Sequence, residues 1–258
     1  MSTPDPLDAD PRLRRLVEEE TTLEAFVTLP GGTFRMGSTV RVDEQPIREV
    51  TVGPIAAAIA PVTNVEYGRF LEATGHEPPR FWDDPHFTDP VRPVVGINWF
   101  DAVDYCDWLS ERLGVHCRLP TEAEREFAAL GGLTDGRAYP WGDAPWSEGP
   151  FAFGAAGMDR PIPIGSTEPN GYGLYHMAEN VHEWCSDWYA ADAYATGPSD
   201  DPRGPEEGTR RASRGGSWRH RIKVARIAAR SSLAPERRYN DYGFRVYADV
   251  EDGTSGGA

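Results

Sequence analysis

The sequence predicts an α+β fold, rich in turns and poor in regular secondary structure, and three observations carry that expectation. The chain of 258 residues holds 27 Gly, 23 Pro and 8 Trp, a composition of turns and irregular walls, not of a helical bundle. Helix start and stop signals bound three stretches between residues 63 and 131, and strand-like runs precede them. After residue 131 the helix signals vanish, and Gly, Pro, Trp and Asn dominate as far as residue 213. The length allows one large domain or two small ones, and 39% hydrophobic residues, with 11% aromatic, can fill a substantial core.

Taken in order, residues 1–10 are polar and Pro-rich and read as disordered. Pro11 to Glu20 reads as a short helix or an arm, with Leu13, Leu16 and Val17 on one side. Ala25 to Ser38 reads as two strands with Pro30-Gly-Gly as the turn between them, and Asp43 to Val52 as a loop and a third strand. Pro54 to Pro61 is apolar and Ala-rich, with no period by which to type it. Thr63-Asn-Val-Glu66 is a capping box, in which the Thr hydroxyl and the Glu carboxylate satisfy free backbone donors. It opens a helix through Tyr67, Phe70 and Leu71 that stops at Gly75. Residues 76–96 form a Pro-rich loop anchored by Phe81 and Trp82. Asn98 to Leu113 carries apolar residues at helical spacing, with Gly114 as the stop, and a second capping box, Thr121-Glu-Ala-Glu124, opens a helix through Phe127 and Leu130. The span after it is too long to be free loop in a compact domain, so internal packing, often with a bound cation, must hold it.

Lys and Arg number 26 against 41 Asp and Glu, a net charge of −15, which argues against nonspecific binding to nucleic acid or to an anionic membrane. Three cysteines make an odd count without framework spacing. Cys106, Cys117 and Cys185 therefore read as reduced, partly buried thiols of a cytoplasmic protein. The start lacks a basic region followed by an apolar one, and no apolar run reaches transmembrane length, so neither secretion nor membrane insertion is expected.

The densest chemistry lies near the end. Arg214-Gly-Gly-Ser-Trp218 leads into Arg219-His-Arg-Ile-Lys223, and Gly243-Phe-Arg-Val246 follows. On residue types alone this is either a binding site or a twisted strand whose arginines pair with surface carboxylates. The wider pattern decides. Pro30-Gly-Gly-Thr-Phe-Arg-Met-Gly37, Pro61-Val-Thr-Asn64, Asn98-Trp-Phe-Asp-Ala102 and Arg118-Leu-Pro-Thr-Glu-Ala-Glu124 come first. Tyr139-Pro-Trp-Gly-Asp143, Asn170-Gly-Tyr-Gly-Leu-Tyr175 and Asn180-Val-His-Glu-Trp184 precede the two closing motifs. In that order they resemble the formylglycine-generating enzyme family, the sulfatase-modifying factor domain. The resemblance covers residues 24–250, leaving residues 1–23 as an N-terminal arm and 251–258 as a disordered tail. It implies a single domain, a variant of the C-type-lectin fold with low regular secondary structure and structural calcium.

The departures from the family pattern are specific. The copper enzymes of the family hold their ion with two Cys a few residues beyond the Gly-Gly-Ser, and thiolates suit Cu(I) because both are soft. This chain has no Cys after Cys185, and His220 stands where the first would be, so sulfatase activation is not expected. The short segment between Trp218 and Ile227 is similar to that of the ergothioneine sulfoxide synthases, the pyoverdine-maturation proteins and the lectin-like variable proteins. Where the family commonly has Asn-x-Trp-Glu-Trp, this chain has His182 in place of the first Trp, a position that lines the cavity in relatives.

His182 and His220, with Glu183 or a water, make a candidate site for iron, copper or zinc; each His could equally line a polar pocket. The resemblance also implies calcium on the carbonyls of Met177, Glu179 and Val181, although His176 replaces the usual Asn or Asp and is a poor calcium ligand. For the second family calcium site Asp159 is the one evident carboxylate.

Arg219, Arg221 and Lys223 alternate, so a strand would aim them to one face and His220 to the other. A basic cavity would favour an anionic substrate such as a carboxylate. Trp141, Trp146 and Trp188 read as core plugs, and Arg118, Arg226, Arg230 and Arg245 as members of internal ion pairs.

The expected catalytic group is Ser217, Trp218 and His220, with Arg219, Arg221, Trp184 and Arg230 as candidate substrate contacts. The expected function is a non-haem metal- and O2-dependent oxidoreductase acting on a small molecule or peptide. A lectin-like module that binds a ligand or a protein without catalysis is the alternative. The oligomeric state is left open.

Overall fold

The computed structural model describes residues 5–134, 136–143, 159–219 and 224–250. Strand β1 (Phe26–Leu29) pairs antiparallel with β4 (Ile55–Ala58), and β4 pairs with β10 (Tyr247–Asp249), whose other edge takes β5 (Cys117–Arg118). β2 (Gly32–Met36) and β3 (Arg48–Val52) form a separate antiparallel pair. β8 (Ser231–Leu233), β7 (Arg211–Arg214), β6 (His182–Trp188) and β9 (Tyr242–Gly243) make the third sheet, in which β6 and β9 run parallel. The stretch without a readable period is β4. It is central in its sheet and buried along its whole length, so no polar face exists to mark alternation.

The three expected helices are α2 (Asn64–Thr74), α3 (Trp99–Leu113) and α4 (Glu122–Leu130). Each has a reciprocal capping box: Thr63 with Glu66, Asn98 with Asp101, and Thr121 with Glu124. The Asn98–Asp101 pair escapes a search for Thr and Glu, because the longer Asn and the shorter Asp make the same two bonds. Gly75, Gly114 and Gly131 close the three helices in the left-handed region. The main core lies between α2, α3 and the first sheet, where Tyr67 and Tyr105 stack at 5.7 Å and Phe244 meets both edge-on.

The N-terminal segment is not an arm. Helix α1 (Pro11–Glu18) buries Leu13 and Leu16, and Leu7 is buried before it, in one cluster with Ile59, Ile164 and Tyr175. Asp10 caps α1 and Arg69 donates to the carbonyls of Leu16 and Val17, so apolar burial and two guanidinium bonds fix it. The expected disorder of residues 5–10 is overturned for the same reason.

Packing also holds the described parts of the long span after α4. Asn180 and Ile162 bond each other reciprocally, Arg92 reaches the carbonyl of Pro161, and Asp201 accepts from the Gly53 N–H. Asn170 bonds the carbonyl of Ala128 at the end of α4. Gly131 and Gly171 meet back to back, and a Cβ on Gly171 would sit 2.2 Å from the Gly131 carbonyl oxygen. A fifth helix, α5 (Ala193–Thr196), follows β6.

Candidate functional site

The site is built at the end of β7. Gly215 (φ +97°) and Gly216 (φ +64°) take the chain through a turn that side chains rarely enter, and a Cβ on Gly216 would lie 2.9 Å from the Val224 carbonyl oxygen. The turn delivers Ser217 to a buried position where its hydroxyl donates to Asp241 Oδ2 at 3.0 Å. Parallel pairing of β6 with β9 puts His182 opposite Tyr242, and the His182 N–H donates to the Asp241 carbonyl. The His182 ring lies 4.9 Å from the Tyr242 ring, which also takes Trp184 at 5.0 Å. Burial raises the Tyr242 phenol, so it stays protonated between Ser213 and Ser231. The Trp218 N–H donates to the Asn180 carbonyl, and its ring packs 6.3 Å from Phe87. Arg219 is half-exposed and reaches Asn240 at 3.0 Å and Asp241 Oδ1 at 3.7 Å.

Ser217, Trp218, Arg219 and His182 are thus brought together around Asp241 and its neighbours. His220, Arg221 and Lys223, with the proposed alternation of the basic face, lie outside the described residues, as does Trp146. The other expectations need correction. Trp184 is fully buried in the core and presents no face to a substrate. Arg230 is buried against Glu122 and donates to the carbonyls of Asp43 and Ala190, so it is a structural cation. Arg118, Arg226 and Arg245 need no correction: they pair internally as expected, with Glu124, Glu44 and Glu183. Trp141 and Trp188 are half-buried, not core plugs. Trp141 stacks on Tyr139 at 5.1 Å, and Trp188 carries the Arg211 guanidinium on its face at 3.5 Å.

Glu183 is separated from His182 because neighbours on a strand point to opposite faces. Its carboxylate is fully buried between Arg125 Nε at 2.7 Å and Arg245 Nη2 at 3.1 Å. Burial alone would raise this carboxyl, but the two guanidiniums overcome it and hold it below its usual value. It is a structural anion, ionised at neutral pH, not a metal ligand beside His182. Among the described residues no group of three His, Cys, Asp or Glu is arranged to hold a metal.

One of the carbonyls expected to take calcium, that of Met177, already accepts from a cation. Arg125 Nη2 donates to the Met177 carbonyl at 2.9 Å. A Cβ on Gly215 would meet Arg125 Nη2 at 2.9 Å, the Met177 oxygen at 3.5 Å and the Val181 oxygen at 3.6 Å, so these groups converge on one spot. The Glu179 carboxylate is turned to His176 Nδ1 at 2.7 Å and to the Ala178 N–H. A guanidinium within this set repels a second cation, and the residues do not fit calcium. Asp159, the carboxylate considered for the second calcium, is exposed and paired with Arg160.

The residue that sequence reasoning missed is Asp241. It lies two positions before the Gly243-Phe-Arg motif, and its only signal was an acid beside that motif. A serine hydroxyl bonded to a buried carboxylate is a pair through which a proton can move, within the reach that general-base chemistry needs.

Residues 14–250 match the sulfatase-modifying factor enzyme 1-like domain, and the chain belongs to that family, whose fold is C-type-lectin-like. It is 35% identical to the formylglycine-generating enzyme of Thermomonospora curvata, over 88% of this chain and 94% of the relative. Among solved structures it is similar to PvdO from Pseudomonas aeruginosa, with a TM-score of 0.75 and 30% identity over 87% of this chain and 94% of that one. Variable protein 1 of Treponema denticola gives the same TM-score at 27% identity, over 86% and 94%. Among the described residues no helix is long and apolar enough to cross a membrane.

Proposed function

We propose that the chain is an oxidase-type member of its family that acts on a small molecule or peptide at the corner formed by Ser217, Trp218, Arg219, His182 and Asp241. The observation that carries this reading is the Ser217–Asp241 contact, buried beside an aromatic wall and a half-exposed guanidinium. Trp218 supplies a flat apolar surface, Arg219 a point of attraction for a carboxylate, and Asp241 a place for the Ser217 proton. The redox partner in this reading is a non-haem iron or copper ion with O2. His182 would hold it together with His220, and it would supply the one-electron chemistry that side chains lack.

Metal analysis of protein purified without chelator is expected to find about one Fe or Cu per chain, lost in the His182→Ala/His220→Ala double variant. Substrate-dependent O2 uptake should fall steeply in Ser217→Ala and Asp241→Asn while the circular dichroism spectrum is unchanged. Metal-free protein with full activity would overturn the reading. A Cys-x-Pro-x-Arg peptide should remain unmodified.

A second reading, a binding module without catalysis, is favoured by the similarity to variable protein 1 and by the lack of a three-ligand cluster among the described residues. A ligand that raises the melting temperature equally with and without metal, and no O2 uptake, would select it.

A further inference from the structure

A cavity of about 250 Å3 lies apart from the Ser217 corner, between β3, the start of α4, the end of β6 and α5. Most of its wall is apolar: Met36, Ala123, Ala190, Ala193 and Pro198 line it. At the end of β6 the wall is broken by Asp187, which is 4% exposed. Both hydrogen bonds to its carboxyl among the described residues fall on Oδ2, from the Glu122 N–H at 3.0 Å and the Ser186 hydroxyl at 3.2 Å. Neither Asp187 nor the exposed Asp192 on the same wall has an ion-pair partner among the described residues. Glu122 is paired with Arg214 and Arg230, whereas Arg48, on the same wall, gives its Nη atoms to the carbonyls of Tyr194, Gly197 and Pro198 and has no carboxylate partner among the described residues.

We infer that this cavity is a second ligand site, built for a small organic cation: a protonated amine seated on Asp187 Oδ1, with an apolar body against Met36 and Ala193. Enclosed apolar walls with a few convergent polar groups are what a small-molecule site needs. Asp187 and Asp192 outnumber Arg48, whose Nη atoms are turned to carbonyls, so the lining favours a cation over a neutral or anionic analogue.

The site also has a pH signature. Burial and the nearby Glu122 charge push Asp187 up to about 7. Glu122 and Glu124 face it from α4, Arg211 from β7 and Arg48 from β3, and Asp192 and Tyr194 stand across the cavity. An ammonium ligand takes only the ionised carboxylate, so its affinity should fall about tenfold for each pH unit below about 7 and level off above it, as far as the pH at which the amine itself loses its proton.

The test is calorimetric titration of the full chain with benzylamine, and with benzyl alcohol as the uncharged probe of the same shape. Benzylamine is expected to bind at least about tenfold more tightly at pH 8, with the acid-side loss described. Asp187→Asn should erase both the preference for the amine and the pH dependence. Ala193→Phe, which fills the cavity without touching the carboxyl, should abolish binding of both probes in a chain that still melts cooperatively. Equal affinity for the two probes, a flat pH profile, binding that survives Ala193→Phe, or no benzylamine binding at pH 8 would each overturn the inference.

Discussion

At the scale of residues, the decisive side chain is Arg125, which is 1% exposed and joins helix α4 to Glu183 and to the Met177 carbonyl. Arg245 approaches Glu183 from the other side and also binds the carbonyls of Ala58 and Tyr175. A buried ion pair repays its desolvation only when its hydrogen bonds are complete, and here they nearly are. Removing one partner leaves charge and carbonyls stranded, so Arg125→Ala should lower stability by about 3–5 kcal/mol in urea titrations. In the unaltered chain, about 1 mM calcium or a chelator should leave the melting temperature unchanged, since the guanidinium holds the place of the ion. A calcium-dependent rise would show that an ion reaches these carbonyls. The residues of the Gly-Gly-Ser-Trp corner were legible because several carry the family's motifs. Glu183 was misplaced because sequence adjacency to His182 hid the alternation of a strand, and Asp241 was missed because its partner Ser217 is 24 positions away.

Elements were legible where they carry their own punctuation. The helices α2, α3 and α4 start at caps and stop at glycines, local chemistry that needs no knowledge of the fold. β4 was not legible because burial on both sides removes its period. Two glycines test how tightly the elements are fitted. Gly75 closes α2 at φ +70° with open space where a Cβ would go, whereas Gly171 abuts the Gly131 carbonyl at the end of α4. Gly75→Ala should therefore cost only about 1 kcal/mol, from its left-handed backbone. Gly171→Ala must move the backbone and should cost about 3 kcal/mol. The melting temperatures of the two variants give the order directly, and equal shifts would contradict the close approach.

At the scale of the whole molecule, the topology was the least readable property. β10 inserts between β4 and β5, and β9 joins β6 in parallel, pairings between residues 60 or more positions apart that no local pattern encodes. The N-terminal segment was underrated for a related reason: its Leu13 and Leu16 have value only against Ile59 and Tyr175, which come later in the chain. Charge sets a property of the entire domain. Burial alone would raise Glu122 and Glu183, but their arginines hold both below the usual carboxylate value. Their stabilisation is complete above about pH 4.3 and is lost as pH falls through their lower native values. Asp187 acts with the opposite sign, because its raised carboxyl favours the fold less as pH rises to about 7. Unfolding followed by circular dichroism should therefore show a steep acid transition below about pH 4 and a second loss that runs from about pH 4 to about pH 7 and is level above it, smaller in Asp187→Asn.

The three free cysteines turn this rigidity into something that can be timed. Cys106 on α3, Cys117 on β5 and Cys185 on β6 are all buried, and burial raises their thiols, Cys117 to about 11. Only an exposed thiolate reacts with an alkylating reagent, so in the closed domain each is silent. Their labelling rates are then clocks for the opening of three separate elements. If the domain opens as one unit, all three should be alkylated at a single rate; a faster Cys117 would show that β5 detaches from β10 before the rest.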